Sequence, residues 1–237
     1  MKREAIVVPE GCKEVLLHAC CAPCSSAIVE WLLQHDIRPT IFYYNPNIFP
    51  REEYEIRKNE SKRHAESLGL TWLDGDYDHA QWRQDVCGLE GEPERGRRCE
   101  LCFTLRLIAT AKKAQALGIP YFTTTLASSR WKSLEQINKA GLIAQESLKS
   151  ERNLSPQPSP SSLSPQPSPS SLLPQQSYLS PLTSHLSPLN HTSHLLPLFW
   201  PQNWRKGGLY ERRNQLLKEF NFYNQQYCGC EFSQRSK

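Results

Sequence analysis

Short apolar runs alternate with amphipathic ones along the first 150 residues. Val15-Leu16-Leu17-His18-Ala19 is continuous and mostly apolar, the pattern of a buried strand. Pro23 stands where a helix can begin, because a first-turn N–H has no helical partner anyway, and the pattern carries that helix to about Gln34. Thr40 to Tyr44 is β-branched and aromatic and predicts a second strand. Pro50 opens a charged helix that Gly69 closes, and Leu70 to Leu73 reads as a third strand. Leu101, Leu105, Ile108 and Ala111 recur at helical spacing until Gly118 and Pro120 stop them. Tyr121 to Thr125 is a fourth strand, and Ser133 with Gln136 caps a further helix reaching about Lys149. This alternation predicts an α/β fold: a mostly parallel sheet flanked by helices, with ligands beyond the carboxyl ends of the strands. Cys20 and Cys21 lie at such an end.

The pattern then breaks. LSPQPSPSS occurs at residues 154–162 and again at 163–171. Residues 155–201 hold 11 of the 18 prolines and no Asp, Glu, Lys or Arg. Each proline removes a backbone donor, so neither a helix nor a central strand is expected. We read residues 154–196 as a disordered, PPII-like insertion, with a proline-rich interaction site as the functional alternative. His185, His191 and His194 fall inside it and are not expected to be ligands. Residues 1–153 then form an α/β core, and residues 197–237 complete the same domain. Order returns near Phe199-Trp200, followed by a helix from about Gly208 with Leu209, Leu216, Leu217 and Phe220 on one face.

Composition narrows the classes. With 28 Lys+Arg against 24 Asp+Glu the formal charge is +4, which permits a nucleic-acid partner without requiring one. The N-terminal apolar run stops at Pro9, too short for a signal-peptide core. The long uncharged stretch is rich in Pro and Ser, unlike a membrane span. A soluble, cytoplasmic protein is expected. In that compartment nine cysteines point to metal or redox chemistry rather than a disulfide framework.

Seven of the cysteines form motifs: Cys20, Cys21 and Cys24 as CCxxC, Cys99 and Cys102 as CxxC at a helix start, and Cys228 and Cys230 as CxC. Cys87 lies twelve residues before Cys99, and Cys12 stands apart. A helix N-terminus stabilises converging thiolates through free N–H groups and the helix dipole. Two such pairs can close around zinc or an iron–sulfur cluster, and spacing alone does not separate the two. Gly229 lets Cys228 and Cys230 meet, either as a pair cycling between dithiol and disulfide or as further ligands. Arg95, Arg97, Arg98, Arg106, Arg130, Lys132, Arg205 and Lys206 flank these motifs and together suit an anionic partner such as an RNA backbone. Trp131 and Trp204 among them could stack on bases or simply pack. Neither GxGxxG nor a Walker A motif is present.

Six stretches together resemble a known family: LLHACCAPC (16–24), YYNPNIFPREEYEIR (43–57), LEGEPERGRRCELCFTLRL (89–107), YFTTTLASSRWKS (121–133), FWPQNWRKGGLYERR (199–213) and YCGCEFS (227–233). The chain is similar to the QueH-type epoxyqueuosine reductases. The resemblance implies a Rossmann-like fold related to nucleotide α hydrolases, without their ATP loop. It implies the last step of queuosine synthesis, reduction of an epoxide to an alkene on a tRNA wobble nucleoside. It implies a 4Fe–4S cluster on Cys20, Cys21, Cys99 and Cys102 and a redox-active pair, Cys228 and Cys230. An additional mononuclear iron is implied too, with Cys24, Asp76 or Asp78 as candidate ligands. The partners are then tRNA and an unidentified electron donor, with no membrane; Arg130, Lys132, Arg205 and Lys206 are the candidate tRNA contacts. Residues 154–196 depart from the family pattern, which has only a short link there.

The competing classes are a zinc-stabilised RNA-binding module, a sulfur-transfer enzyme on tRNA and a disulfide oxidoreductase. The first predicts a colourless zinc protein. The second needs an ATP pyrophosphatase loop, which HACCAPCS does not supply. The third leaves a tRNA partner unexplained.

Overall fold

A computed structural model describes residues 6–154 and 196–233. The elements run β1 (Glu14–His18), α1 (Ala22–Gln34), β2 (Arg38–Tyr43), α2 (Arg51–Ser67), β3 (Trp72–Asp74), α3 (His79–Asp85), α4 (Arg97–Leu117), β4 (Tyr121–Thr124), α5 (Leu134–Leu154), β5 (Leu198–Phe199) and α6 (Leu209–Glu219). The five strands form one parallel sheet in the order β3-β2-β1-β4-β5. The expected α/β architecture is therefore present. The order reverses between β1 and β4, and a crevice at the carboxyl ends of those two strands is the usual ligand position in such a sheet. Among the described residues no helix is long and apolar enough to cross a membrane.

The core follows from the strand pattern. Val15, Leu16, Leu17 and Ala19 have no exposed surface and lie among Ile28, Leu32, Leu107, Phe122 and Leu126. Pro23 does sit in the first turn of α1. Gly118 ends α4 in the left-handed conformation, with φ of 69°. Two elements escape the sequence pattern. The helix α3 has only seven residues, too few for a periodicity to register, and β5 is two residues long. That strand matters because it joins the C-terminal part of the chain to the same sheet, beside β4. The proline repeat lies outside the described residues, as do His185, His191 and His194.

Helix α5 packs against β5 at one tight point. A Cβ on Gly141 would fall 2.3 Å from the Phe199 ring, which is itself 6% exposed and has no room to retreat. We expect Gly141→Ala to lower unfolding free energy by about 1–3 kcal/mol through overpacking, as measured by urea denaturation. Unchanged stability would show that this edge of the sheet yields easily.

Candidate metal and redox site

The loop after β1 delivers the first cysteines to the crevice. The backbone N–H of Cys20 donates to Thr125 Oγ1 (3.1 Å), and that hydroxyl donates to Cys20 Sγ (3.4 Å). His18, at the end of β1, hydrogen-bonds Thr124 Oγ1 at 2.8 Å and the Tyr44 carbonyl at 3.1 Å. A carbonyl only accepts, so Nε2 carries the proton and Nδ1 accepts from Thr124. Burial, with Arg106 nearby, pushes the His18 pKa down to about 3 and keeps the ring neutral. Strands β1 and β4 are thus pinned together where the sheet order reverses.

Cys20, Cys21 and Cys24 are all buried, and their Sγ atoms lie within 4.8 Å of one another, an arrangement that can hold a metal ion. Hydrogen bonding from Cys21 and Cys24 holds the Cys20 thiol well below its ordinary pKa, while burial pushes Cys21 up. One thiolate is therefore favoured in the set, on Cys20. Gln225 donates through Nε2 to Cys21 Sγ (2.9 Å) and Cys24 Sγ (3.6 Å), bringing the C-terminal segment onto this loop.

Helix α4 presents the second set. Gly96 caps it, and a side chain there would meet Glu92 Oε2 at 2.5 Å. Cys99 lies in the first turn, where the Arg95 N–H donates to its sulfur at 3.4 Å. Cys102 is one turn further, buried beside Trp82 and Cys230. Burial raises both thiols; the Arg95 amide opposes this at Cys99, and Arg106 with the Trp82 indole opposes it at Cys102. Cys99, Cys102, Cys228 and Cys230 line one cavity with Asn47, Trp82, Arg106 and Lys132. Asn47 Oδ1 and Arg106 Nε are buried there without a hydrogen-bond partner, so the cavity has polar capacity that a bound group can use.

The CxC segment is held by residues the sequence did not single out. Arg57, 2% exposed, donates to the Cys228 carbonyl (3.3 Å) and the Tyr227 carbonyl (3.2 Å) and pairs with Glu53. Phe49 N–H donates to the Gly229 carbonyl (2.9 Å), and Ile48 bridges Cys230 antiparallel. A hydrogen bond from Cys230 lowers the Cys228 thiol well below its ordinary pKa, helped by Lys132 and Ser233, whereas Cys230 is raised. No disulfide joins any of the nine cysteines.

The two sets are linked. Asn45 donates to the Ala19 carbonyl (2.9 Å) and accepts from the Arg106 guanidinium, tying the loop after β1 to α4. The Lys132 ammonium feels the thiols of Cys228, Cys20 and Cys24, which together raise its pKa against the effect of burial. These cations offset the charge that several thiolates, or a thiolate-bound metal, would bring into a buried site.

Other expected site residues are placed differently. Trp204 is 1% exposed and packs on Trp31 and Trp200, with ring centroids 5.9 and 5.3 Å away, so it is core rather than a base-stacking surface. Arg98 and Arg106 are also buried and serve the site from within. Arg98 gathers the carbonyls of Leu89, Glu90 and Glu92 into the turn before α4. Asp78 caps α3 by accepting from the Gln81 N–H (2.8 Å), and Asp76 is exposed; neither joins the Cys20, Cys21 and Cys24 set. Cys12 lies in the main core and Cys87 is exposed. Lys206 is exposed, while Arg130, Lys132 and Arg205 share a second, open groove beside the sulfur-lined cavity.

Comparison with known proteins decides the family. The family model described as "Epoxyqueuosine reductase QueH" matches residues 15–154 and 186–236. The chain belongs to the QueH family. Proteins named epoxyqueuosine reductase QueH from Haemophilus influenzae and Histophilus somni are each 36% identical over 233 residues. Those alignments cover 98% of this chain and 76% and 77% of the two relatives. The Acinetobacter baylyi protein of the same name is 35% identical, covering 98% of this chain and 86% of its own length. The two QueH-model segments carry all seven clustered cysteines and are separated within the proline-rich repeat.

Proposed function

We propose that this chain is an epoxyqueuosine reductase that converts epoxyqueuosine to queuosine at the wobble position of tRNA. The observation that carries the reading is the convergence of cysteines inside the segments that match the family: seven thiols from three distant segments form two sets, Cys20 with Cys21 and Cys24, and Cys99 with Cys102, Cys228 and Cys230, linked through Asn45 and Arg106. We assign Cys20, Cys21, Cys99 and Cys102 to a 4Fe–4S cluster and Cys228 with Cys230 to a redox pair. Cys24, which shares the Cys20 and Cys21 pocket, is the candidate ligand for an additional iron. When bound, these groups would supply single electrons and a Lewis acid for the epoxide oxygen.

The chain's own chemistry complements this. Opening the epoxide to an alkene takes up two electrons and two protons and releases water. Oxidation of the Cys228 thiolate and Cys230 thiol to a disulfide yields two electrons and one proton, and the second proton comes from solvent, so the exchange balances. The left-handed Gly229 and the grip of Arg57 hold the two cysteines at one spot. The lowered Cys228 pKa keeps its sulfur reactive, and the raised Cys230 retains a proton. Lys132 and Arg106 hold positive charge beside the sulfurs. An external donor must then reduce the pair for the next turnover. We also propose a cytoplasmic location, which a tRNA substrate supports.

The test is nucleoside analysis of tRNA from cells in which this chain is the sole reductase. Queuosine accumulates with the native chain. With Cys228→Ala, conversion falls by about a hundredfold or more, the scale expected when a covalent redox partner is lost. Full conversion by that variant would remove the assigned role of the pair, and absence of queuosine with the native chain would remove the function.

A further inference from the structure

The sulfur-lined cavity opens beside a groove of about 540 Å³, within the size range of small-ligand pockets. The two share Arg95 and Lys132. Arg95, Arg130, Lys132 and Arg205 bring four cations to this groove, and among the described residues none of them is ion-paired with a carboxylate. Of the carboxylates that also line it, Glu100 is neutralised by Lys139, leaving Glu135.

The cations are held in place by backbone contacts. Arg95 has a positive φ of 67°, an uncommon conformation for a residue with a Cβ. Its side chain donates to the carbonyls of Trp131 and Arg130, each at 3.0 Å, and its own carbonyl accepts from Gln136 at 2.7 Å. From the other side Arg205 donates to the Lys132 carbonyl at 2.9 Å, while its Nε is buried with no partner. Two guanidiniums therefore grip one short loop from opposite ends. Burial and the neighbouring Arg95 charge lower the Arg205 pKa, the sign of a cation lacking an anion. Next to Arg130 in the chain, Trp131 is 57% exposed and lines the sulfur cavity, with the Arg130 guanidinium 4.8 Å from its ring centroid.

We propose that this groove is a phosphodiester subsite: it seats a backbone phosphate of single-stranded RNA beside the reacting nucleoside, and Trp131 stacks on an adjacent base. The proposal rests on the tRNA reading above. A guanidinium held over an aromatic ring, as Arg130 is over Trp131, can still offer its in-plane N–H groups to phosphate oxygens. An exposed aromatic beside a cationic groove is the arrangement that single-stranded nucleic acids recognise. A nucleotide held there has its base or sugar substituent at the mouth of the cysteine cavity through the shared Lys132.

The test measures binding of a fluorescent anticodon stem–loop RNA to the full, anaerobically purified chain over a range of salt concentrations. Arg130→Ala weakens binding about tenfold, and its log–log salt dependence becomes shallower by about 0.7 for one lost phosphate contact on a single strand. Trp131→Ala weakens binding by about tenfold with the salt slope unchanged, as stacking loss requires. The subsite is overturned if both variants keep native affinity and slope, or if the native chain does not bind the RNA. Because the readout is binding, loss of the subsite leaves queuosine formation by the native chain as a separate result. Conversely, binding as expected without queuosine formation sinks the functional reading alone.

Discussion

Cys102→Ala is expected to strip the protein of iron and to lower epoxide reduction by at least about a hundredfold, as ligand loss does at a metal site. Cys102 is buried in the wall between Trp82 and Cys230, and its sulfur lies one helical turn from Cys99. Burial raises its pKa, so the site favours a neutral thiol unless a cation takes the proton's place. The variant therefore loses a ligand and with it affinity for iron. Metal binding is linked to folding free energy, so a chelator should lower the melting temperature of the native chain and leave Cys102→Ala unmoved. Native iron content in the variant would take Cys102 out of the ligand set.

Gly229→Ala should separate the two chemical roles. At φ of 100° an L side chain is strained whatever the space, and the added Cβ would stand 2.9 Å from Ile48 Cγ1 and 3.0 Å from Arg57 Nη1. Ile48 and Arg57 are both buried, so neither can give way freely. Strain and overpacking together cost about 2–4 kcal/mol. The easiest relief is to lift Cys228 and Cys230 off the loop at residues 45–50. A displacement on the scale of 1 Å costs about a hundredfold in rate. Cys228 and Cys230 share a cavity with Cys99 and Cys102 but are not themselves proposed as iron ligands, so iron content should hold while reduction falls. The outcome to look for is that pair of readings in one sample; loss of both would tie the CxC segment to metal binding.

The parts of this molecule that chemistry marks locally were legible in the sequence. Val15 to Ala19 announced a central strand because burial on both faces leaves no polar alternation. The cysteines announced themselves because thiols are rare and their spacing is short-range. What the sequence hid was long-range. Gln225 reaches Cys21 across 204 positions, Arg57 reaches the Cys228 carbonyl across 171, and Asn45 meets Arg106 across 61. No local pattern distinguishes such a residue from a surface amide or cation. Trp204 shows the converse: among its cationic neighbours the sequence left base stacking and plain packing both open, and the contacts with Trp31 and Trp200 put it in the core. Helix α3 and strand β5 were too short for periodicity, yet α3 places Trp82 against the sulfurs and β5 closes the sheet.

The most direct measurement is anaerobic EPR and optical spectroscopy of the purified chain together with iron and sulfide analysis. The account predicts a brown protein with about four sulfide and four to five iron per chain, for a 4Fe–4S centre with one additional iron, and a paramagnetic signal on reduction. A colourless, iron-free protein that still forms queuosine would contradict it.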